Sequence, residues 1–210
     1  MKVHKVIIKL IAAVMICSGI VACAGGPSAP TRFYMIDSVA PTAGSQSRDM
    51  NLPKVLVSLD PVEIPEYLNR PQIVTHLDGA AYQLDEFNQW LEPLGDNLTR
   101  VIAENLSELL AADGIDILSM SRPVETDFNV AVQVLRLDGK PGREMVLIAR
   151  WSLLDRTNNT MSLTKRSVVR EVVDDDSYQG IVKVQNDIIE SLSREIADGI
   201  RTIVRKPSRD

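Results

Sequence analysis

The sequence predicts an α+β domain, a mostly antiparallel sheet with a three-stranded meander and two amphipathic helices packed on one face. Three observations lead there. Residues Asp127–Val173 alternate apolar and polar side chains around internal turn signals, the period of half-buried strands. Two other segments, starting near Leu94 and ending near Ile203, carry apolar residues at spacings of three and four, the period of a helix with one apolar stripe. Between them they need one apolar surface, which the meander supplies. The third observation is a leader that ends at Cys23 and stands outside the fold.

That leader opens with a basic tip (Lys2, Lys5, Lys9) and runs apolar from Val6 to Val21, with no acidic residue before Cys23. A charged start, a short apolar stretch and a small residue before the cut describe an export signal, so residues 1–22 are expected to be removed. The apolar stretch, about 12–16 residues interrupted by Lys9 and Ser18, falls short of the roughly 20 that a spanning helix needs. Ile20-Val21-Ala22-Cys23 resembles the lipobox of bacterial lipoproteins, which implies acylation of Cys23. One acyl chain binds a bilayer marginally and two or more anchor it stably, so a lipidated Cys23 would hold the chain to a membrane without a spanning helix. Cys17 lies inside the leader, so no disulfide is expected after processing.

Residues 23–31 read as the anchor cysteine and a flexible tether: AGGPSAPT is small, polar and broken by proline. Eight residues reach about 26 Å when extended. Residues 32–210 are expected to form a single domain, and 188 residues remain after the leader, enough for a substantial core. The leader takes three lysines with it, leaving twenty basic residues against 28 acidic ones, a formal charge of −8. That balance argues against a nucleic-acid partner. It also argues against adhesion to lipid through a basic face.

In chain order, Arg32–Ser38 alternates as a short first strand, and Ala40–Asn51 reads as a surface loop. Lys54–Asp60 alternates through Val55, Val57 and Leu59. Pro61–Pro71 is an extended or turning segment, because proline cannot donate to a ladder. Gln72–His76 and Ala81–Leu84 are short strands around Asp78-Gly79. The first helix follows with Leu94, Leu98, Val101, Ile102, Leu106, Leu109 and Leu110 on one side, Asp96 or Asn97 as N-cap, and a stop at Asp113-Gly114. Ile115–Leu118 is a strand. The meander then turns at Asp138-Gly139-Lys140-Pro141-Gly142 and at Asn158-Asn159, the latter suited to a hairpin with positive φ. The last helix carries Ile181, Val184, Ile188, Leu192, Ile196, Ile200 and Ile203 in one stripe, with Asp176 and Gln179 patterned as a capping box.

Catalytic signatures are missing from this sequence. It has no nucleophile elbow, HExxH, phosphate-cradling glycine loop or dinucleotide fingerprint. His76 is the one histidine after the leader and sits on a predicted strand with no carboxylate closer in sequence than Asp78. Asp174-Asp175-Asp176 lacks the spaced ligands and turn glycine of a calcium loop and reads as negative charge at a helix N-terminus. The expectation is a non-enzyme without cofactor or metal.

Pro65-Glu66-Tyr67-Leu68-Asn69-Arg70-Pro71-Gln72-Ile73-Val74, followed by Trp90-Leu91-Glu92-Pro93-Leu94, resembles the ABC-type transport auxiliary lipoproteins, the lipoprotein components of paraquat-inducible-type systems. Phe33-Tyr34-Met35-Ile36, Asp138-Gly139 and Arg150-Trp151 extend the likeness over nearly the whole chain after the leader. The resemblance implies an outer-membrane lipoprotein facing the periplasm, which partners a mammalian-cell-entry (MCE) domain protein in moving phospholipid between membranes. Ala24 after Cys23, in place of an inner-membrane retention aspartate, agrees with the outer membrane. The competing function is a structural or assembly lipoprotein of the envelope. Tyr67 and Arg70 are candidate partner contacts, since prolines stiffen their segment and both residue types are enriched at interfaces; alternatively, the segment is a proline-shaped connection covering a sheet edge. Trp90 reads as a lid over the first helix or as a lipid contact. A domain of this size cannot enclose a lipid conduit alone, so a homo-oligomer is expected, with a monomer on a short tether as the alternative.

Overall fold

The computed structural model describes residues 29–38, 55–77, 79–119 and 125–205. Contacts divide the chain into two units, Met1–Pro30 and Thr31–Asp210, and the fold is that of the second. Cys23, the predicted tether up to Ser28 and the predicted loop at Ala40–Asn51 lie outside the described residues.

The strands are β1 (Arg32–Tyr34), β2 (Val55–Leu59), β3 (Gln72–His76), β4 (Tyr82–Trp90), β5 (Ile115–Ser119), β6 (Phe128–Gly139), β7 (Glu144–Asp155) and β8 (Thr160–Val172). The helices among the described residues are α1 (Leu94–Leu110) and α2 (Tyr178–Val204), with short 3₁₀ turns at Glu66–Leu68 and Ala111–Asp113. The fold is α+β, and its strands form two mixed sheets, a three-stranded one in the order β1-β4-β3 and a five-stranded one in the order β5-β2-β6-β7-β8.

The meander is antiparallel, with Val132 opposite Trp151 and Trp151 opposite Lys165. The parallel pairs are where the structure departs from the expected direction of the strands. β2 lies between β5 and β6 and runs parallel to both, and β1 runs parallel to β4. Parallel neighbours need a long crossover, and the chain from β2 through α1 to β5 is one. Periodicity reports which side of a strand is buried and carries no record of strand direction. β2 is buried over Val57, Ser58 and Leu59, as a central strand covered on both faces must be.

β4 continues to Trp90, beyond the expected end at Leu84. Its middle is largely exposed, and its pairing with β3 jumps there from Asp85 to Gln89, so the stretch Glu86–Asn88 breaks both the apolar period and the β3 ladder. β6 carries a bulge between Val134 and Arg136. The extra residue, Leu135, shifts the alternation: Val130, Val132 and Val134 face the core before it and Leu137 after it, while Arg136 and Asp138 share the opposite face.

Both helices pack on the core face of the five-stranded sheet, α2 across β7 and β8 and α1 against β5 and α2. In the α2 stripe Ile181, Ile188, Leu192, Ile196 and Ile200 are fully buried, and Val184 and Ile203 are partly buried against the same core. The caps differ from expectation. Pro93 stands at the N-cap of α1, and the Asn97 side chain is instead buried, accepting from the Ile36 N–H at 2.8 Å and donating to its carbonyl at 3.0 Å. Ser177 caps α2 through a 3.1 Å bond from the Gly180 N–H, so the Asp176/Gln179 box is not formed. Asn159 takes positive φ, 52°, in the second turn of the meander, as its hairpin requires.

Candidate functional site

The Pro61–Pro71 segment leaves β2 along the upper half of β6. Glu63 bridges to it, its N–H donating to the Val132 carbonyl at 3.0 Å and its carbonyl accepting from the Val134 N–H at 2.8 Å. The 3₁₀ turn at Glu66–Leu68 then points Leu68 into the core, 3% exposed, and lays Tyr67 across the outer side of the sheet.

Tyr67 is half-buried there. Its hydroxyl donates to Asp138 Oδ2 at 2.7 Å, and its ring stands 5.5 Å from that of Tyr82. Asp138 is fully buried, and Arg136 holds its other oxygen, Nε at 2.9 Å and a terminal nitrogen at 2.8 Å. A buried carboxylate is tolerated when it is paired and hydrogen-bonded, and the three donors meet that condition. Burial, with the Asp138 bond and charge beside it, pushes the Tyr67 hydroxyl pKa well above its ordinary value. Neither Asp138 nor Arg136 is singled out by sequence periodicity as a partner of Tyr67. A signal existed, two opposite charges one residue apart just before a turn glycine, but the bulge that puts them on the outer face is legible only from the pairing.

Arg70 lies beyond the turn on the other side of Leu68. Its Nε is buried and has no hydrogen-bond partner among the described residues. Together with Asn69, Pro71 and the Trp90–Pro93 segment it borders a cleft of about 290 Å³. Trp90 is 6% exposed and belongs to the core, whereas the neighbouring Leu91 is 63% exposed. Glu92, also on the rim, is paired with Arg100 at 2.8 Å. Tyr67 and Arg70 therefore serve different surroundings: the first is tied to the sheet, the second carries an unsatisfied donor beside an exposed apolar side chain.

His76 stacks on Tyr82 at 4.9 Å and shares a 2.9 Å hydrogen bond with the Gly79 carbonyl. Among the described residues there is no group of three or more His, Cys, Asp and Glu side chains placed to hold a metal ion. None of the described helices is long and apolar enough to cross a membrane.

Residues 34–197 match the model of the family described as the ABC-type transport auxiliary lipoprotein component, and the chain belongs to that family. Among solved structures, that of an uncharacterized protein is similar over 82% of this chain and 99% of its own, with 21% identity and a TM-score of 0.67. A Xanthomonas campestris protein of the DUF330 family is similar over 83% of this chain and 95% of its own, with 12% identity and a TM-score of 0.65. These likenesses concern the fold. The comparison with curated proteins returned no match.

Proposed function

We propose that this auxiliary lipoprotein is a non-catalytic, lipid-anchored component of an MCE/ABC-type system that moves phospholipid between two membranes, and that it docks at the outer membrane facing the periplasm. The observation that carries the reading is the family assignment over residues 34–197, whose description joins a lipoprotein to ABC-type transport. The leader ending in Cys23 supports it: residues 1–22 are removed, Cys23 is acylated, residues 23–31 tether the body, and residues 32–210 form the working domain. Ala24, rather than aspartate, supports the outer membrane as destination.

The partner in this reading is a periplasmic MCE-domain protein. The Arg70 cleft supports a contact there, because a buried donor without a partner gains the most when a carbonyl or carboxylate arrives. Tyr67 would act on the same contact mainly by holding the turn that presents Arg70. Copies of the chain would form a homo-oligomeric collar at the end of the partner assembly.

The test is affinity capture of the full chain from detergent-solubilised membranes, with Cys23→Ala and Arg70→Ala beside it. The expected outcome is recovery of an MCE-domain protein with a transporter ATPase or permease, loss of membrane retention in Cys23→Ala, and weakened capture in Arg70→Ala. Recovery of envelope-assembly factors without any transport component would replace this reading with that of a structural lipoprotein.

A further inference from the structure

The meander has a second face, turned away from α1 and α2, and its charge is opposite to that of the chain as a whole. Register places Arg150 of β7 directly across from Arg166 of β8, and Arg170 lies on the same face two pairs further along. All three are exposed, and among the described residues none is in an ion pair. Like charges directly opposite on a sheet repel. A chain with a formal charge of −5 has carboxylates available, yet here it sets two arginines on directly opposed residues with no ion pair to either among the described residues. Large apolar side chains stand between and beside them: Met161 is 58% exposed, Val168 40% and Val172 66%. Acidic groups flank the face on two sides, and Asp60 and Glu63 line one cleft with Arg150 and Met161. Asp60 and Glu63, on the β2 side, accept from Asn129 Nδ2 at 2.9 Å and Gln133 Nε2 at 3.1 Å, and Glu144 stands opposite Val172 at the end of β7.

We propose that this face docks on an anionic phospholipid surface, with Arg150, Arg166 and Arg170 on lipid phosphates and Met161, Val168 and Val172 among the headgroups. Planar guanidinium groups match phosphate oxygens in pairs, and aliphatic side chains among them favour an interface with an apolar layer beneath. An acidic protein would satisfy the arginines equally well. The exposed aliphatic side chains, on a chain whose family is one of lipoproteins, favour the membrane. The face would set how the body lies on the leaflet. This inference uses the Cys23 anchor of the preceding reading only to bring the face within reach, and it reverses the expectation from net charge that no basic face meets lipid.

The experiment uses the full chain, purified from membranes and reconstituted into vesicles of phosphatidylcholine alone or with about a third phosphatidylglycerol. Arginines are modified with phenylglyoxal and read individually by mass spectrometry. Each basic residue near an anionic surface contributes roughly a factor of five in partitioning, so Arg150, Arg166 and Arg170 should react at least about fivefold more slowly on the anionic vesicles. Arg194 on α2 should be unchanged, and high salt should remove the difference. Arg166→Glu with Arg170→Glu, both exposed and unpaired, should leave the thermal melt in place and abolish the protection of Arg150. Equal reactivity on the two vesicle types overturns the proposal. So does protection in detergent alone that deepens with protein concentration, which would assign the face to a second copy. Failure to float with neutral vesicles while floating with anionic ones would sink the Cys23 anchor and sustain the docking face.

Discussion

Gly199 of α2 sits where the Trp151 ring of β7 closes against the helix: a Cβ at position 199 would lie 2.5 Å from Trp151 Cη2 and 3.0 Å from Leu163 Cδ2. The indole is pinned from its other end, Nε1 donating to Ser167 Oγ at 3.0 Å, which in turn donates to Glu195 Oε1 of the same helix at 2.8 Å. The largest buried side chain of the sheet thus fixes how closely α2 can approach.

Gly199→Ala should therefore destabilise the domain although alanine is the better helix former. The helix preference is worth about 1 kcal/mol, and overpacking a close contact costs typically 1–3 kcal/mol. A net loss of up to about 2 kcal/mol in urea unfolding is expected. A more stable variant would mean that α2 stands further from β7 than the contact implies.

Removing the Tyr67 hydroxyl takes one of three donors from a fully buried carboxylate. Tyr67→Phe should cost about 1–3 kcal/mol at neutral pH, measured by denaturant unfolding. If stability is unchanged, the Tyr67 to Asp138 bond is not formed in solution.

Tyr178, at the start of α2, has its hydroxyl pKa pushed up to about 12 by burial first and then by the charge of Asp85. The folded state thus holds this proton more tightly than the unfolded chain, whose tyrosine titrates near the ordinary value of 10. Its contribution is fully present below about pH 10 and is lost as pH rises toward 12. Tyr178→Phe should flatten the alkaline fall in unfolding midpoint across that window. Parallel curves for the two proteins would remove Tyr178 from the effect.

Leu192 lies fully buried in the middle of the α2 stripe. Leu192→Ala should cost 2–5 kcal/mol, a large share of the stability of a single domain. A loss below about half a kcal/mol in thermal or urea melts would mean that the stripe faces something other than this sheet.

Several features were legible in the sequence because they depend on spacing along the chain. The α2 stripe, the three meander strands and the positive-φ turn at Asn159 are patterns within one or two dozen residues, where period and side-chain type report burial directly. The family likeness was legible too, through PEYLNRPQIV and WLEPL. What those patterns could not carry was anything set by a neighbour distant in sequence. Tyr67 and Asp138 are 71 residues apart, and only the bulge at Leu135 turns Asp138 toward the tyrosine. Arg150 and Arg166 each look like an ordinary exposed charge until register sets them side by side. The parallel direction of β2, the role of Asn97 as a clamp on Ile36 in place of a cap, and the basic face of an acidic protein were likewise decided by tertiary structure. Local preferences are worth about a kcal/mol per residue or less, so strand direction, register and the partners of buried polar groups follow from packing the whole core at once.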